Sequence, residues 1–357
     1  VTQSTGKKML FNLLHFNGLK RSSNILGTMA HVPLYALCLA LCSVGLFSLT
    51  AHSQEKPSST VPWPSHPLKI LVGFPGGSTP DMVARTLAEP LSKALGQAVV
   101  VDNKTGASGN ISTDAVAKSS DDHTLGVVIN GNLTSAKLLD PKLPYEPSRD
   151  FTFVSLLATS PLILLAPASL PDGVEYIRQS QANGSQWNYG SVGNGSVAHL
   201  GMELLKSKIS GVQAVHIPYS GNPQVITAML SGQIQMALVP PGVAMPQVKS
   251  GKLKAIGLTS ARSPLVPEVV SLSELGVKDF QLEVWTGLVA PVGLSPTAKA
   301  RLSSEISKIF AQEDFRQKLF ALGWQAVGSS GEAFKARVQE ETLQLGNIIK
   351  LRQIKLD

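Results

Sequence analysis

The chain has 357 residues, 43% hydrophobic and 15% charged, with a formal net charge of +7. That length holds one large domain or two ordinary ones. The composition excludes global disorder, and the scattered 31 Gly and 23 Pro, without a short period, exclude collagen-like and solenoid chains.

The charge is unevenly placed. Lys7, Lys8, Lys20 and Arg21 meet no acid within residues 1–53, and beyond them 27 basic residues face 24 acidic ones. So small a surplus, with no Lys/Arg run interleaved with aromatics, does not favour a nucleic-acid partner. The basic start precedes an uncharged stretch over 32–50 (VPLYALCLALCSVGLFSLT) and then Ala51-His52-Ser53, with small residues at the two positions a signal peptidase reads. This predicts a signal peptide with a long leader over 1–53, cleavage after Ser53 and a periplasmic product; translation from Met29 gives the same reading. The rival is an uncleaved anchor, since about 18–20 apolar residues span a bilayer. Both cysteines, Cys38 and Cys42, fall in the apolar stretch, so the mature part has no disulfide, thiol nucleophile or Cys-based metal site. Leu37 and Leu41 precede them, where lipid attachment wants a small residue.

Residues 54–67 (QEKPSSTVPWPSHP) read as a polar, Pro-rich linker. Strand-like and helix-like segments then alternate. Strands are expected over 68–74, 98–102, 124–129 and 151–158, and helices over 81–95, ending before Gly96, and 112–118. After a Pro-rich turn come an apolar segment over 162–165 and strands over 187–191, 212–219, 234–239 and 253–259, with helices over 197–209 and 223–230. Short apolar strands alternating with helices point to mostly parallel sheets covered on both faces, the α/β class. The tail differs. Residues 280–290 (FQLEVWTGLVA) form a long apolar strand, expected to pass between two parts of the fold. Ser295-Pro296 then opens a helix to about Ala311. Another helix runs from about Glu313 to Leu322, stopped by Gly323, and a last one starts at Ser329-Ser330-Gly331-Glu332 with capping-box spacing.

Three Gly/Ser/Asn-rich loops each follow a strand and precede a helix. In the first, Phe74-Pro75-Gly76-Gly77-Ser78-Thr79-Pro80-Asp81, Ser78 or Thr79 caps the helix and Pro80 sits in its first turn. Helix starts leave backbone N–H groups unpaired and carry partial positive charge, so a glycine-flanked start suits an anion. Asp81 offers the alternative of capping that end itself. The second loop, Gly190-Ser191-Val192-Gly193-Asn194-Gly195-Ser196, offers many neutral donors and no charge. Gly193–Ala198 also fits G-x-G-x-x-A, but the ribose-binding acid expected about 20 residues on is missing, since 216–221 read HIPYSG. The third, NKTGASGN over 103–110, either shapes a cleft or turns the chain. Asn130-Gly131-Asn132 ends a strand, where ligands of open α/β sheets sit. Tyr219 either lines a pocket or packs as a core aromatic.

Catalytic machinery is hard to assemble. There is no G-x-S-x-G elbow and no Walker motif. The mature part carries only His66, His123, His199 and His216, with no H-E-x-x-H spacing, so neither metal nor cofactor is expected. His199, on the first helical turn beside the second loop, reads first as structural and second as a ligand contact. Asp121-Asp122 reads as a solvated turn. The alternative to a binding protein is a secreted α/β hydrolase-like enzyme using Ser191, Ser196 or His199.

Taken in order, these loops resemble the periplasmic solute-binding receptors of tripartite tricarboxylate transporters, the Bug-type family. The resemblance runs from about Trp63 to Gly346. It rests on PLKILVGFPGGSTPDMVARTLAEPLSKALGQAVVVDN, KTGASGN, LPYEPSRDFTFVSLLA, YGSVGNGSVAHLGMELLK, VHIPYSG, GQIQMAL, SGKLKAIGLTSARS and WTGLVAP, in register. It implies a two-lobed, type II-like periplasmic binding protein with a ligand cleft between α/β lobes: lobe 1 over 68–158 plus 285–357 with the C-terminal helices, and lobe 2 over 159–284. It implies a small organic carboxylate as ligand, membrane permease subunits as partners, a monomer, no enzyme activity, and the alternative of an orphan receptor acting in sensing. The two loops it marks for the ligand carry Phe74, Gly76, Gly77, Ser78 and Thr79 and, opposite them, Ser191, Gly193, Asn194, Gly195 and Ser196; the strand-end readings add Asn132 and Tyr219 as candidate ligand contacts. Two departures stand out. Only Pro75 separates Phe74 from the glycine pair, where the family has two residues, which shifts the backbone donors by one position. Val239, followed by Pro240-Pro241, stands where the family often has an acid, which disfavours a ligand bearing an ammonium group.

Overall fold

The computed structural model describes residues 62–355. The leader, its cleavage site after Ser53, both cysteines and the linker up to residue 61 lie outside the described residues.

The first half of the fold is built from β1 (Leu68–Val72), α1 (Thr79–Leu95), β2 (Val99–Asn103), α2 (Asn110–Ala117), β3 (Thr124–Ile129), the short α3 (Asn130–Leu133) and α4 (Ser135–Leu139), and β4 (Phe151–Pro161). β1 is almost wholly buried because helices cover both faces of its sheet. α1 turns Val83, Leu87 and Leu91 into the core at helical spacing, carries Pro80 in its first turn and ends on Gly96 at φ +71°, a left-handed cap that glycine adopts freely.

The chain then crosses to a second sheet. It contains β5 (Ile163–Pro167), α5 (Gly173–Asn183), β6 (Asn188–Ser191), α6 (Val197–Lys208), β7 (Val215–Pro218), α7 (Asn222–Leu230), β8 (Met236–Val239), α8 (Pro241–Lys249) and β9 (Leu253–Leu258). β10 (Glu283–Pro291) returns to the first sheet, followed by α9 (Pro296–Ala311), α10 (Glu313–Ala321), β11 (Gln325–Ala326) and α11 (Gly331–Arg352).

The first sheet has the order β11-β4-β10-β3-β1-β2 and the second β7-β6-β8-β5-β9. This is a two-lobed α/β architecture, but the sheets are mixed rather than mostly parallel. β1 pairs in parallel with β2 and β3, and β6 with β7 and β8, whereas β10 runs antiparallel to β3 and β4, and β5 antiparallel to β8 and β9. The two-residue β11 is antiparallel to β4 as well, and the two long reversed strands, β5 and β10, are those next to the lobe crossings. β5 follows β4 after a single residue, and β10 returns without a helix, so neither is constrained by a βαβ crossover to run parallel.

The crossing is stitched at one threonine. Thr259 donates its N–H to the Leu162 carbonyl at 2.9 Å and accepts the Leu162 N–H on Oγ1 at 2.9 Å. The same hydroxyl donates to the Leu282 carbonyl at 2.6 Å, and the Leu282 N–H returns to the Thr259 carbonyl at 2.9 Å. The segment expected to pass between lobes over 280–290 therefore makes its crossing at Leu282, and from Glu283 onward it is a strand of the first sheet.

Two loops that reach the cleft are held together by a close backbone approach. A Cβ on Gly73 would stand 2.5 Å from Gly109 Cα and 2.7 Å from its carbonyl oxygen, atoms with no freedom to swing aside. Gly73→Ala is expected to destabilise the protein by about 1–3 kcal/mol, the usual cost of overpacking, read as a lower midpoint at unchanged slope in urea denaturation.

Candidate functional site

A cavity of about 30 Å³ lies where the two lobes meet. That is space for a water-sized group, so the lobes stand closed on each other. Its wall is made from strand ends and helix starts. Phe74 follows β1, Ile129 ends β3, Val192 follows β6 and Leu238 lies near the end of β8, the edge where open α/β sheets bind ligands. Leu162 and Val284 bring the crossing strands to the same space.

The helix starts decide its electrostatics. Ser78, Thr79 and Pro80 open α1; Ser196, Val197 and Ala198 open α6; Asn222 opens α7; and Pro240 precedes α8. Four helices of 9 to 17 residues thus direct their N-terminal ends toward one small cavity. Each end leaves first-turn N–H groups without intrahelical partners and carries roughly half a positive charge. Among the described residues no Asp, Glu, Lys, Arg or His lines the cavity. Four helix N-termini with no charged side chain between them form an arrangement that suits an anion gripped by neutral donors.

Ser78 is the exposed nerve of this arrangement. It takes the N-cap position of α1 yet makes no side-chain cap, and its buried Oγ has no hydrogen-bond partner among the described residues. The loop before α1 is fastened from inside the helix's first turn. Asp81 accepts the Gly77 N–H at 2.9 Å and binds Arg85 and Asn103. Burial works to raise the Asp81 carboxyl, but the bonds from Arg85, Asn103 and Gly77 outweigh it and hold the group below the usual carboxylate range. In consequence Gly76 and Gly77 are exposed, with open space where a Cβ would stand, and they do not line the cavity.

The opposed loops touch directly. Asn222 Nδ2 donates to Thr79 Oγ1 across the cleft at 2.7 Å, with both side chains buried. Ser135 Oγ donates to the Gly195 carbonyl. A Cβ on Gly131 would lie 3.1 Å from that carbonyl oxygen, and one on Gly193 would lie 2.1 Å from Ser108 Oγ. The third loop takes part through Ser108, which with Ala107 is held at positive φ, 57° and 45°.

Of the residues marked in the sequence, Phe74, Ser78, Thr79 and Ser196 line the cavity. Asn194 instead lines a neighbouring cavity of about 400 Å³ at the cleft edge. The others hold the loops. Asn132 accepts the Ile129 N–H and donates to the Ser108 carbonyl and Asn110. Ser191 Oγ accepts the Gly193 N–H at 3.1 Å and lies 2.7 Å from His216 Nε2. The Gly195 N–H donates to His199 Nδ1, and Ser196 Oγ accepts the His199 N–H. The Tyr219 N–H donates to the Ser191 carbonyl, and its ring packs in the second lobe's core. Asn130, read from the sequence as part of a strand end, and Pro240 also line the cavity, as do Leu162, Asn222, Leu238 and Val284, which the sequence did not mark as ligand contacts.

The Ser191–His216 contact invites comparison with a nucleophile and its base. Yet Ser191 is buried and does not line the cavity. Burial pushes His216 down to about 3, helped by the stacked His199 ring at 4.1 Å between centroids. A base that weak takes up few protons at neutral pH. Among the described residues no group of three His, Cys, Asp or Glu is placed to hold a metal ion, and no helix is long and apolar enough to cross a membrane.

Residues 83–354 match the family described as "Tripartite tricarboxylate transporter family receptor". Protein BugT of Bordetella pertussis is 30% identical over 324 residues, covering 88% of this chain and 98% of BugT. MatC from Rhodopseudomonas palustris, solved with bound malate, superposes with a TM-score of 0.75 at 32% identity over 80% of this chain and 99% of MatC. Rpa4515 of the same organism, solved with adipate, gives 0.79 at 27% identity over 82% of this chain and 99% of its own.

The interlobe bond yields a direct test. Thr79→Val keeps the shape but leaves Asn222 Nδ2 without its acceptor, a loss of about 1–3 kcal/mol confined to the closed form. Small-angle scattering is expected to show a more open average shape for Thr79→Val than for the wild type, with far-UV circular dichroism unchanged.

Proposed function

This chain belongs to the tripartite tricarboxylate transporter receptor family, and on that premise we propose that it captures a small organic carboxylate in the closed cleft and hands it to the membrane permease of such a transporter. The observation that carries this reading is the Ser78 hydroxyl, buried at the start of a 17-residue helix, facing the cavity and lacking a partner. A carboxylate oxygen supplies the missing acceptor. It also satisfies first-turn N–H groups of α1 and α6, in a space where water is nearly excluded and hydrogen bonds to charge are strong.

The same wall limits the rest of the ligand. Phe74, Leu162, Leu238 and Val284 offer apolar surface. Val239 is buried in the second lobe's core and Pro240 takes the wall beside it, so no carboxylate faces the cavity to meet an ammonium group. This supports a plain or aromatic acid over an amino acid. Malate on MatC and adipate on Rpa4515 are both carboxylates without an amino group, which favours the same class here. We take the protein to act in the periplasm as a monomer after loss of residues 1–53, and to turn over no substrate, because the Ser191–His216 pair is shut away from the cavity.

Closure is the working stroke. With ligand bound, the donors of both lobes converge on one anion, and the rotation about Leu162, Thr259 and Leu282 presents a joined surface to the permease, a hinge motion of the kind periplasmic receptors use. A thermal-shift screen of the protein lacking residues 1–53 against mono-, di- and tricarboxylates, aromatic acids and amino acids tests the reading, since selective binding to the native state raises the melting temperature. A carboxylate without an amino group is expected to give the largest shift. Ser78→Ala is expected to weaken that acid by about ten- to a hundredfold in calorimetry, as for a lost bond to a charged group, while leaving the ligand-free melting temperature unchanged. Tight binding of aspartate or glutamate alone, or turnover abolished by Ser191→Ala, would overturn it.

A further inference from the structure

The side chain of Asn130 is committed behind the cavity wall. Its Oδ1 accepts the Trp285 backbone N–H at 2.8 Å, and its Nδ2 donates to Glu341 Oε1 at 2.5 Å and to the Glu283 carbonyl at 3.3 Å. The second oxygen of Glu341 accepts the Trp285 indole N–H at 2.7 Å and Arg337 Nε at 3.4 Å. Asn130 itself lines the cavity, and so does Val284, which lies between the two β10 residues bound to Asn130. One carboxylate on the last helix thus braces two pieces of the ligand wall, one at the start of α3 and one at the start of β10.

The chemistry of this brace is specific. Glu341 is 7% exposed, and a carboxylate is tolerated there only because donors surround it. Both of its oxygens face N–H groups. An amide of the same shape would turn an NH2 group toward one of those donors, so a neutral side chain cannot hold Asn130 and Trp285 together. We propose that Glu341 is a positioning residue for the ligand site, fixing Asn130 and Val284 so that the closed cleft has its binding shape. This rests on the carboxylate-receptor reading for its purpose, but its geometry is testable with no ligand present.

The charged groups around Glu341 are Arg337 on α11 and Glu283 on β10, themselves paired at 3.5 Å. Burial raises the Glu341 carboxyl above its ordinary range, opposed in part by the bonds from Asn130, Trp285 and Arg337. It therefore takes up a proton at a pH where exposed carboxylates remain ionised, and protonation removes the acceptor for one of its donors.

Two measurements on the full chain decide the proposal. In amide hydrogen exchange at neutral pH, Glu341→Gln is expected to speed exchange by about tenfold across 129–133 and 284–286, the scale of one lost hydrogen bond, with 191–198 unchanged. In an acid titration of tryptophan fluorescence, the wild type is expected to show a step above the ordinary carboxylate range that Trp285→Phe and Glu341→Gln both lack. Exchange that rises uniformly, or stays the same in the cavity wall, would assign Glu341 a general packing role and overturn the proposal. So would a wild-type titration without a step traceable to Trp285, a readout that survives even if the Glu341 variant does not fold. Failure of every acid to bind in the thermal-shift screen would leave both readouts standing, which separates the two claims.

Discussion

A buried anion needs either a counter-ion or a set of fixed dipoles that water no longer competes with. The cavity between the lobes offers the dipoles. The starts of α1, α6, α7 and α8 reach one cavity from which charged side chains are absent. The arrangement works only while the lobes are closed, because the attraction of a helix end fades within a turn and is weakened by solvent. Much of the remaining architecture follows from that requirement. Glycines at 131 and 193 permit backbone approach across the cleft, and Thr79 and Asn222 form a direct bond between opposing helix starts.

The same requirement explains the crossing. Two strands that merely passed between lobes would leave their relative angle loose. Here Leu162 and Leu282 are joined through Thr259, which is fully buried and uses both its backbone and its hydroxyl. The two crossings are therefore tied to each other at a single short junction. It sits immediately beside Leu162 and Val284 of the cavity wall, so a change of lobe angle changes the cavity itself.

Most elements were legible from sequence because their signals were local. The buried run over 68–72, the Pro80 and Gly96 boundaries of α1 and the Ser295-Pro296 and Ser330 starts of α9 and α11 all reflect chemistry within one turn. Strand direction was not legible, since an apolar strand looks alike in either orientation and β5 and β10 are reversed only by their place next to the crossing. α8 was hidden by its own composition: Pro240, Pro241, Gly242 and Pro246 read as loop, yet two of these prolines flank the helix start, where no N–H is needed. The site was half legible. The glycine-rich loops marked in the sequence lie at the candidate cavity, but glycines advertise where a backbone turns, not where its amides point. Gly77 gives its N–H to Asp81, and the donor facing the cavity is Ser78 one step further on. Leu238, Asn222 and Val284 carry no motif; their role comes from lying at the ends of strands and helices that meet only in three dimensions.

The polar residues that look most functional in the sequence hold the loops around the cavity. Asn132, Ser191, His199 and His216 spend their hydrogen bonds on the backbone of the second and third loops or on one another. His216 is pressed down to about 3, so at neutral pH this histidine adds no positive charge behind the second loop. That neutrality has a consequence for selectivity. Since no charged side chain among the described residues lines the cavity, an anion proposed to bind there would be balanced by oriented dipoles, while an ammonium group would be buried without a partner, a penalty of several kcal/mol. On the proposed reading, discrimination against amino acids would come as much from groups the wall does not supply, among them the carboxylate that Val239 and Pro240 leave out, as from contacts made with the acid itself.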